Sequence, residues 1–206
     1  MGYRIDDSSF YRELKQSLVD AFRQLGYIRL PVEPSELLEA HGIQTLAYQS
    51  AYDSLSLDGL MALCKSPSGI SFTLTANGCD LRFVACNLQE SPGRVRFTKL
   101  HEAGHLLRGH LQDSELAEVE ANFWAKYAIA PPVLVEELDL TTVEEIVQQF
   151  GTSAECATYI LQQHSNWLRH RQDDKAIDDS ILELYRRGLL LEQREEETAG
   201  LTKIAQ

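Results

Sequence analysis

Long apolar runs are missing from this 206-residue sequence. No stretch approaches the length of a membrane span, and no basic segment followed by an apolar run stands at its start. We therefore expect a cytoplasmic protein that does not enter a membrane. Cysteine is also scarce. The chain has four cysteines, and they show no C-x-x-C spacing. This argues against a disulfide framework and against a zinc site built from cysteines.

Positive charge is in short supply as well. Lys and Arg number 19 against 31 Asp and Glu, which gives a formal net charge of −12. Binding to a nucleic-acid backbone needs a basic surface, so we expect no direct contact with nucleic acid. Two helical patterns over 141–163 leave a helix-turn-helix interpretation open. However, 154–163 contains no Lys or Arg for a recognition helix, which favours simple helical packing.

The sequence does contain His101-Glu102-Ala103-Gly104-His105, a complete HExxH motif. Residues i and i+4 share one face of a helix, so the imidazoles of His101 and His105 can bind the same Zn²⁺. Glu102 directly follows the first ligand, where a carboxylate can take a proton from a water that the metal activates. The motif therefore predicts a zinc-dependent peptidase with Glu102 as its catalytic base.

A third metal ligand must come from another part of the chain. The nearest acidic helix offers Glu115, Glu118 and Glu120, and the residues alone leave the choice among them open. Glu118 has Asn122 four residues later on the same face. An amide at that position is able to orient a metal-bound imidazole through its other ring nitrogen. We therefore predict a supporting role for Asn122.

Another histidine, His110, misses the third-ligand spacing of HExxHxxGxxH by one residue, which favours a surface or supporting histidine. A peptidase also needs a group that stabilises the tetrahedral oxyanion beyond the metal. Tyr127, Tyr159, His110 and His164 are the candidates, and the sequence does not choose among them.

The patterns around the motif predict an α+β, zincin-like fold. Strands are expected at 43–48, 60–63, 70–74 and 81–86, with a hairpin turn at 77–78, as a small antiparallel sheet packed on the HExxH helix. Helices are expected at 10–25, from 34 to about 42, and at 173–197 with a break at Gly188. We divide the chain into a metallopeptidase domain at 1–136 and a helical C-terminal segment at 137–206.

Two runs of the sequence together resemble the ImmA/IrrE family of metallo-endopeptidases. RVRFTKLHEAGHLL at 94–107 is similar to the family pattern R-x-R-F-T-x-x-H-E-x-G-H-L-L. EVEANFWAKYAIAP at 118–131 is similar to E-x-E-A-N-x-F-A-A-x-L-L-M-P, with departures at Trp124, Lys126 and 128–130. The resemblance is strong over about 80–132 and weak in the flanks.

This resemblance implies that Glu118, four residues before the Asn of the pattern, is the third zinc ligand. It also implies a peptidase that cleaves one regulatory protein, such as a helix-turn-helix repressor of a mobile element or a stress response. The alternative is a regulatory module that binds zinc, cleaves nothing and acts by protein–protein interaction. An intact Glu102 argues for the enzyme, because binding zinc does not require that residue.

Overall fold

The computed structural model of the protein describes residues 8–48, 50, 66–110, 112 and 114–204. The strands of its sheet are β1 (Ile43–Ala47), β2 (Gly69–Ala76) and β3 (Cys79–Cys86). The helices that surround the sheet and extend beyond it are α1 (Ser8–Leu25), α2 (Pro34–Ala40), α3 (Pro92–Arg108), α4 (Glu115–Ile129), α5 (Pro132–Glu137), α6 (Val143–Phe150), α7 (Ala154–His170) and α8 (Lys175–Ile204). The architecture is α+β, as predicted, and it is mostly helical. Within the described residues, no helix is both long enough and apolar enough to cross a membrane.

The sheet has the strand order β1-β3-β2 and is mixed. β2 and β3 form the predicted antiparallel hairpin around Asn77 and Gly78. β1 pairs with β3 in parallel, from Ile43 opposite Arg82 to Ala47 opposite Cys86. The expectation of an antiparallel sheet is therefore wrong for this pairing. A two-residue turn sets the direction of consecutive strands, but β1 and β3 are not consecutive and no local signal sets theirs. The strand predicted at 60–63 lies outside the described residues.

Local signals set most helix ends near their predicted places. α1 stops directly before Gly26, and α4 stops before Pro131. Ser114 caps α4, since its side chain accepts a hydrogen bond from the amide of Ala117 at 3.1 Å. Ser91 stands at the N-cap position of α3 but makes no side-chain capping bond.

Helix α8 runs without the break expected at Gly188. Gly188 is buried, and a Cβ atom there would lie 2.0 Å from the carbonyl oxygen of Ile28. The amide of Ile28 donates to the carbonyl of Leu184 at 3.0 Å, one turn earlier on α8. The glycine therefore allows the chain after α1 to lie directly against α8, which the sequence pattern did not reveal.

One hydrophobic core joins the two ends of the chain. α1 contributes Leu18 and Phe22 to it, and the C-terminal helices contribute Ile146, Phe150 and Ile181. These side chains are at most 1% exposed. The C-terminal part is helical as expected, and it packs on the same core as the N-terminal part. The division into 1–136 and 137–206 stays a prediction.

The packing of α3 against α4 positions the HExxH motif. A Cβ atom on Gly104 would lie 3.3 Å from Cα of Ala121 and 3.4 Å from Cβ of Trp124. Ala121 and Trp124 are fully buried. Because Gly104 has no side chain, the two helices are able to approach closely at this contact. Side chains along their facing edges are thereby brought within reach of one another.

Candidate metal centre

The three side chains predicted to bind metal meet between α3 and α4. The Nε2 atoms of His101 and His105 lie 3.1 Å apart. Glu118 places Oε2 at 3.5 Å from the first nitrogen and Oε1 at 3.3 Å from the second. A tetrahedral Zn²⁺ with bonds of about 2.0–2.1 Å separates its ligand atoms by about 3.3 Å. The three separations are near this value, with a different carboxylate oxygen nearest each imidazole, so His101, His105 and Glu118 form a group that is able to hold a metal ion.

The protonation of the site also favours a metal. Burial, and next the neighbouring His105, lower the pKa of His101, whereas Glu118 and Asn122 act to raise it. A lowered pKa keeps the imidazole neutral near pH 7, which is the form that ligates a metal. The side chains of His101 and His105 are 14% and 12% exposed, but that of Glu118 is 51% exposed. The site therefore opens to solvent on the side of the carboxylate.

Asn122 lies one helical turn after Glu118 and interacts with the ring of His101, whose pKa it raises. Nδ1 of His101 is buried and makes no hydrogen bond of good geometry with any residue in the described ranges. Asn122 is thus near the imidazole that it was predicted to support. Its orienting role at this nitrogen stays a prediction.

Glu102 lies on the sheet side of α3. It is 9% exposed. A Cβ atom on Gly69, at the start of β2, would lie 3.4 Å from Cγ of Glu102 and 2.2 Å from Cγ2 of Thr98. The missing side chain at 69 therefore leaves the space in which Thr98 packs, with Glu102 beside it. A carboxylate held here is next to the face of α3 that carries the two histidines.

A chain of hydrogen bonds starts at the other ring nitrogen of His105. Nδ1 of His105 lies 3.0 Å from Nδ1 of His110, and Nε2 of His110 lies 3.2 Å from Oε2 of Glu120. Arg108 donates from Nε to the same carboxylate oxygen at 2.9 Å. An ionised Glu120 accepts the Nε2 proton of a neutral His110, so Nδ1 of His110 is an acceptor. His105 then donates from Nδ1, which makes Nε2 its unprotonated nitrogen, the form that a metal ligand requires.

The three candidate glutamates thus lie in different surroundings. Glu118 faces the histidines, and Glu115 is exposed in the first turn of α4. Glu120 is 8% exposed and is bound to Arg108 and His110. Its position about 200° around the helix from Glu118 was the available sequence signal. That signal separates the two side chains but does not reveal the partner of Glu120.

The four candidates for an oxyanion donor also differ in their surroundings. Both ring nitrogens of His110 are engaged, which argues against it. The hydroxyl of Tyr127 is buried and has no partner among the residues described. Tyr159 lies under the ammonium of Lys126, at 4.4 Å from the ring centroid. Nε2 of His164 is 2.9 Å from Oε2 of Glu136.

The hydrogen-bond chain makes a prediction about metal affinity. His110→Ala is expected to weaken zinc binding about 10–100-fold, because the orientation and tautomer of His105 lose their support. Competition with a zinc-chelating dye at pH 7 measures the effect. His170→Ala is the matched control, since that side chain is 75% exposed. Equal zinc affinity in the two variants would contradict the role assigned to His110.

No protein-family model matches this chain, and no curated protein matches it.

Proposed function

We propose that the protein is a zinc-dependent metallo-endopeptidase of the gluzincin type, acting in the cytoplasm. The observation that carries the proposal is the convergence of His101, His105 and Glu118, whose ligand atoms all lie within 4.8 Å of one another. Two histidines and a carboxylate are a donor set of catalytic zinc sites, which keep one position open for water or substrate. The buried Glu102 beside this set supplies the base that a purely structural metal site does not need.

Each side chain of the site has a different role in the proposed hydrolysis. When bound, Zn²⁺ supplies Lewis acidity, which acidifies the attacking water and polarises the scissile carbonyl. Glu102 accepts a proton from the water while the oxygen of that water forms a bond to the carbonyl carbon. Glu102 then delivers the proton to the leaving nitrogen as the C–N bond breaks. His101 and His105 remain neutral ligands throughout. Glu120, acting through His110, holds His105 in the required tautomer.

The proposed substrate is a single regulatory protein, a helix-turn-helix repressor. The resemblance of 94–107 and 118–131 to the ImmA/IrrE family supports this choice. The net charge of −12 also favours action on the repressor protein over action on its DNA.

A cleavage assay tests the proposal. The zinc-loaded protein is incubated with a candidate helix-turn-helix repressor, and fragments are identified by mass spectrometry. We expect one defined cut, its loss with a chelator such as 1,10-phenanthroline, and its return when zinc is restored. Fragments that persist at full yield in the chelator would exclude a metallopeptidase.

A further inference from the structure

A cavity of about 830 Å³ lies between the start of α3, the end of α4 and the turn that precedes α7. Its wall combines cationic, aromatic and small polar side chains. Those that bear on its chemistry are Arg94, Arg96, Phe97, Lys126, Glu155 and Tyr159. We call it the basic cavity.

The basic cavity lies beside the candidate metal centre, toward the start of α3 and the end of α4. On α3, Arg94, Phe97 and His101 follow one another at spacings of three and four, so they share a face. The rings of Phe97 and His101 are 6.1 Å apart. On α4, Lys126 lies eight residues after Glu118, about 80° around the helix from it. At 1.5 Å per residue, the backbone positions of Arg94 and Lys126 lie roughly 10–12 Å along their helices from those of His101 and Glu118.

The positive charge of this cavity is poorly neutralised. The ammonium of Lys126 lies over the ring of Tyr159 and forms no ion pair within the described ranges. Arg96 donates to the carbonyl of Gly151 at 2.7 Å, and its buried Nε has no partner there.

The acids around the basic cavity do not balance its cations. Arg94 has Glu90 as an acidic neighbour, but their nearest charged atoms are 3.9 Å apart. Glu155 is the acid in the lining, set against Arg94, Arg96 and Lys126. A concave site of positive charge on a molecule with a net charge of −12 attracts an anionic group.

We propose that the basic cavity binds an acidic side chain of the polypeptide substrate, with Arg94 and Lys126 as its contacts, about three residues from the bond that is cut. This inference rests on the proposed peptidase function. An extended peptide advances about 3.3 Å per residue, so three residues cover the distance from the metal ligands to the two cations. The cavity thereby selects sequences with Asp or Glu at that position, because a carboxylate there makes charge-assisted hydrogen bonds.

The test uses peptide hydroxamates, which bind a catalytic zinc without being cleaved. Two pairs are needed, one with the hydroxamate at the C-terminus and one with it at the N-terminus. Within each pair the third residue from the hydroxamate is Glu or Gln. Affinity for the zinc-loaded protein is measured by calorimetry. We expect the Glu peptide of one pair to bind about tenfold more tightly, with a preference that falls as salt is added.

The double variant Arg94→Gln/Lys126→Gln is expected to retain zinc and lose this preference. Lys99→Gln is the matched control on the same helix, because Lys99 contacts Ser35 and not the basic cavity. Equal affinity for Glu and Gln in both pairs, or a preference that survives in the double variant, would overturn the subsite while leaving the metal centre intact. If the zinc-loaded protein binds none of the hydroxamates, the proposed function fails, and the subsite fails with it.

Discussion

Glu102→Gln is expected to abolish cleavage while leaving zinc content and fold unchanged. The amide has nearly the size of the carboxylate but cannot accept the proton of the attacking water. Base and metal act as a unit, so the rate should fall by several orders of magnitude. The measurement is the yield of repressor fragments from the purified variant, with zinc content determined by mass spectrometry and fold by circular dichroism.

Glu115→Gln provides the matched control, because Glu115 is an exposed carboxylate in the first turn of α4. It should cleave as the native protein does. A second readout is the transcription that the repressor controls, measured in cells that produce each variant. If Glu102→Gln relieves repression as fully as the native protein, cleavage is not the mechanism. The chain would then be the alternative, a zinc-binding regulatory module that acts by protein–protein interaction.

Removal of a ligand from the metal centre should produce the second large effect. The native protein is expected to bind one Zn²⁺ per chain, and His101→Ala should lose stoichiometric zinc. Glu118→Ala should lose it as well, because two histidines alone leave the ion with half of its tetrahedral shell. Metal content after dialysis and competition with a chelating dye give the stoichiometry and the affinity.

Zinc binding by variants of Glu115 and Glu120 distinguishes a metal ligand from a residue that supports a ligand. Glu115→Ala should bind zinc normally. Glu120→Ala should bind it more weakly but still stoichiometrically, because His110 loses the carboxylate that sets its tautomer. Stoichiometric zinc in Glu118→Ala would remove Glu118 from the ligand set. The choice would then return to Glu115 or Glu120, and the hydrogen-bond chain through Glu120 would need another explanation.

The parts of the fold that the sequence predicted correctly depend on neighbouring residues. Gly26 and Pro131 mark helix ends, Ser114 caps α4, and Asn77-Gly78 makes the hairpin of β2 and β3. Each signal acts within a few residues, so its effect does not depend on how the remainder of the chain packs.

The errors in the prediction have a different origin. The parallel pairing of β1 with β3 and the close approach of Ile28 to Gly188 join segments that are far apart in sequence. A glycine within a helical sequence pattern predicts a break in the helix when the residue that packs against it is unknown. The same limitation concealed the partners of Glu120, which are Arg108 at the end of α3 and His110 two residues beyond it.

The sequence by itself determined the two histidines of the candidate metal centre and the place of Glu102 beside them. The spacing of four residues on a helix puts His101 and His105 on one face, and this depends on helix geometry alone. Tertiary structure decided which carboxylate joins them, because that depends on how α4 lies against α3. Contact at Gly104 and Ala121 sets this approach. It turns Glu118 toward the histidines and Glu120 toward His110, and it places Lys126 beside the cavity that begins at Arg94.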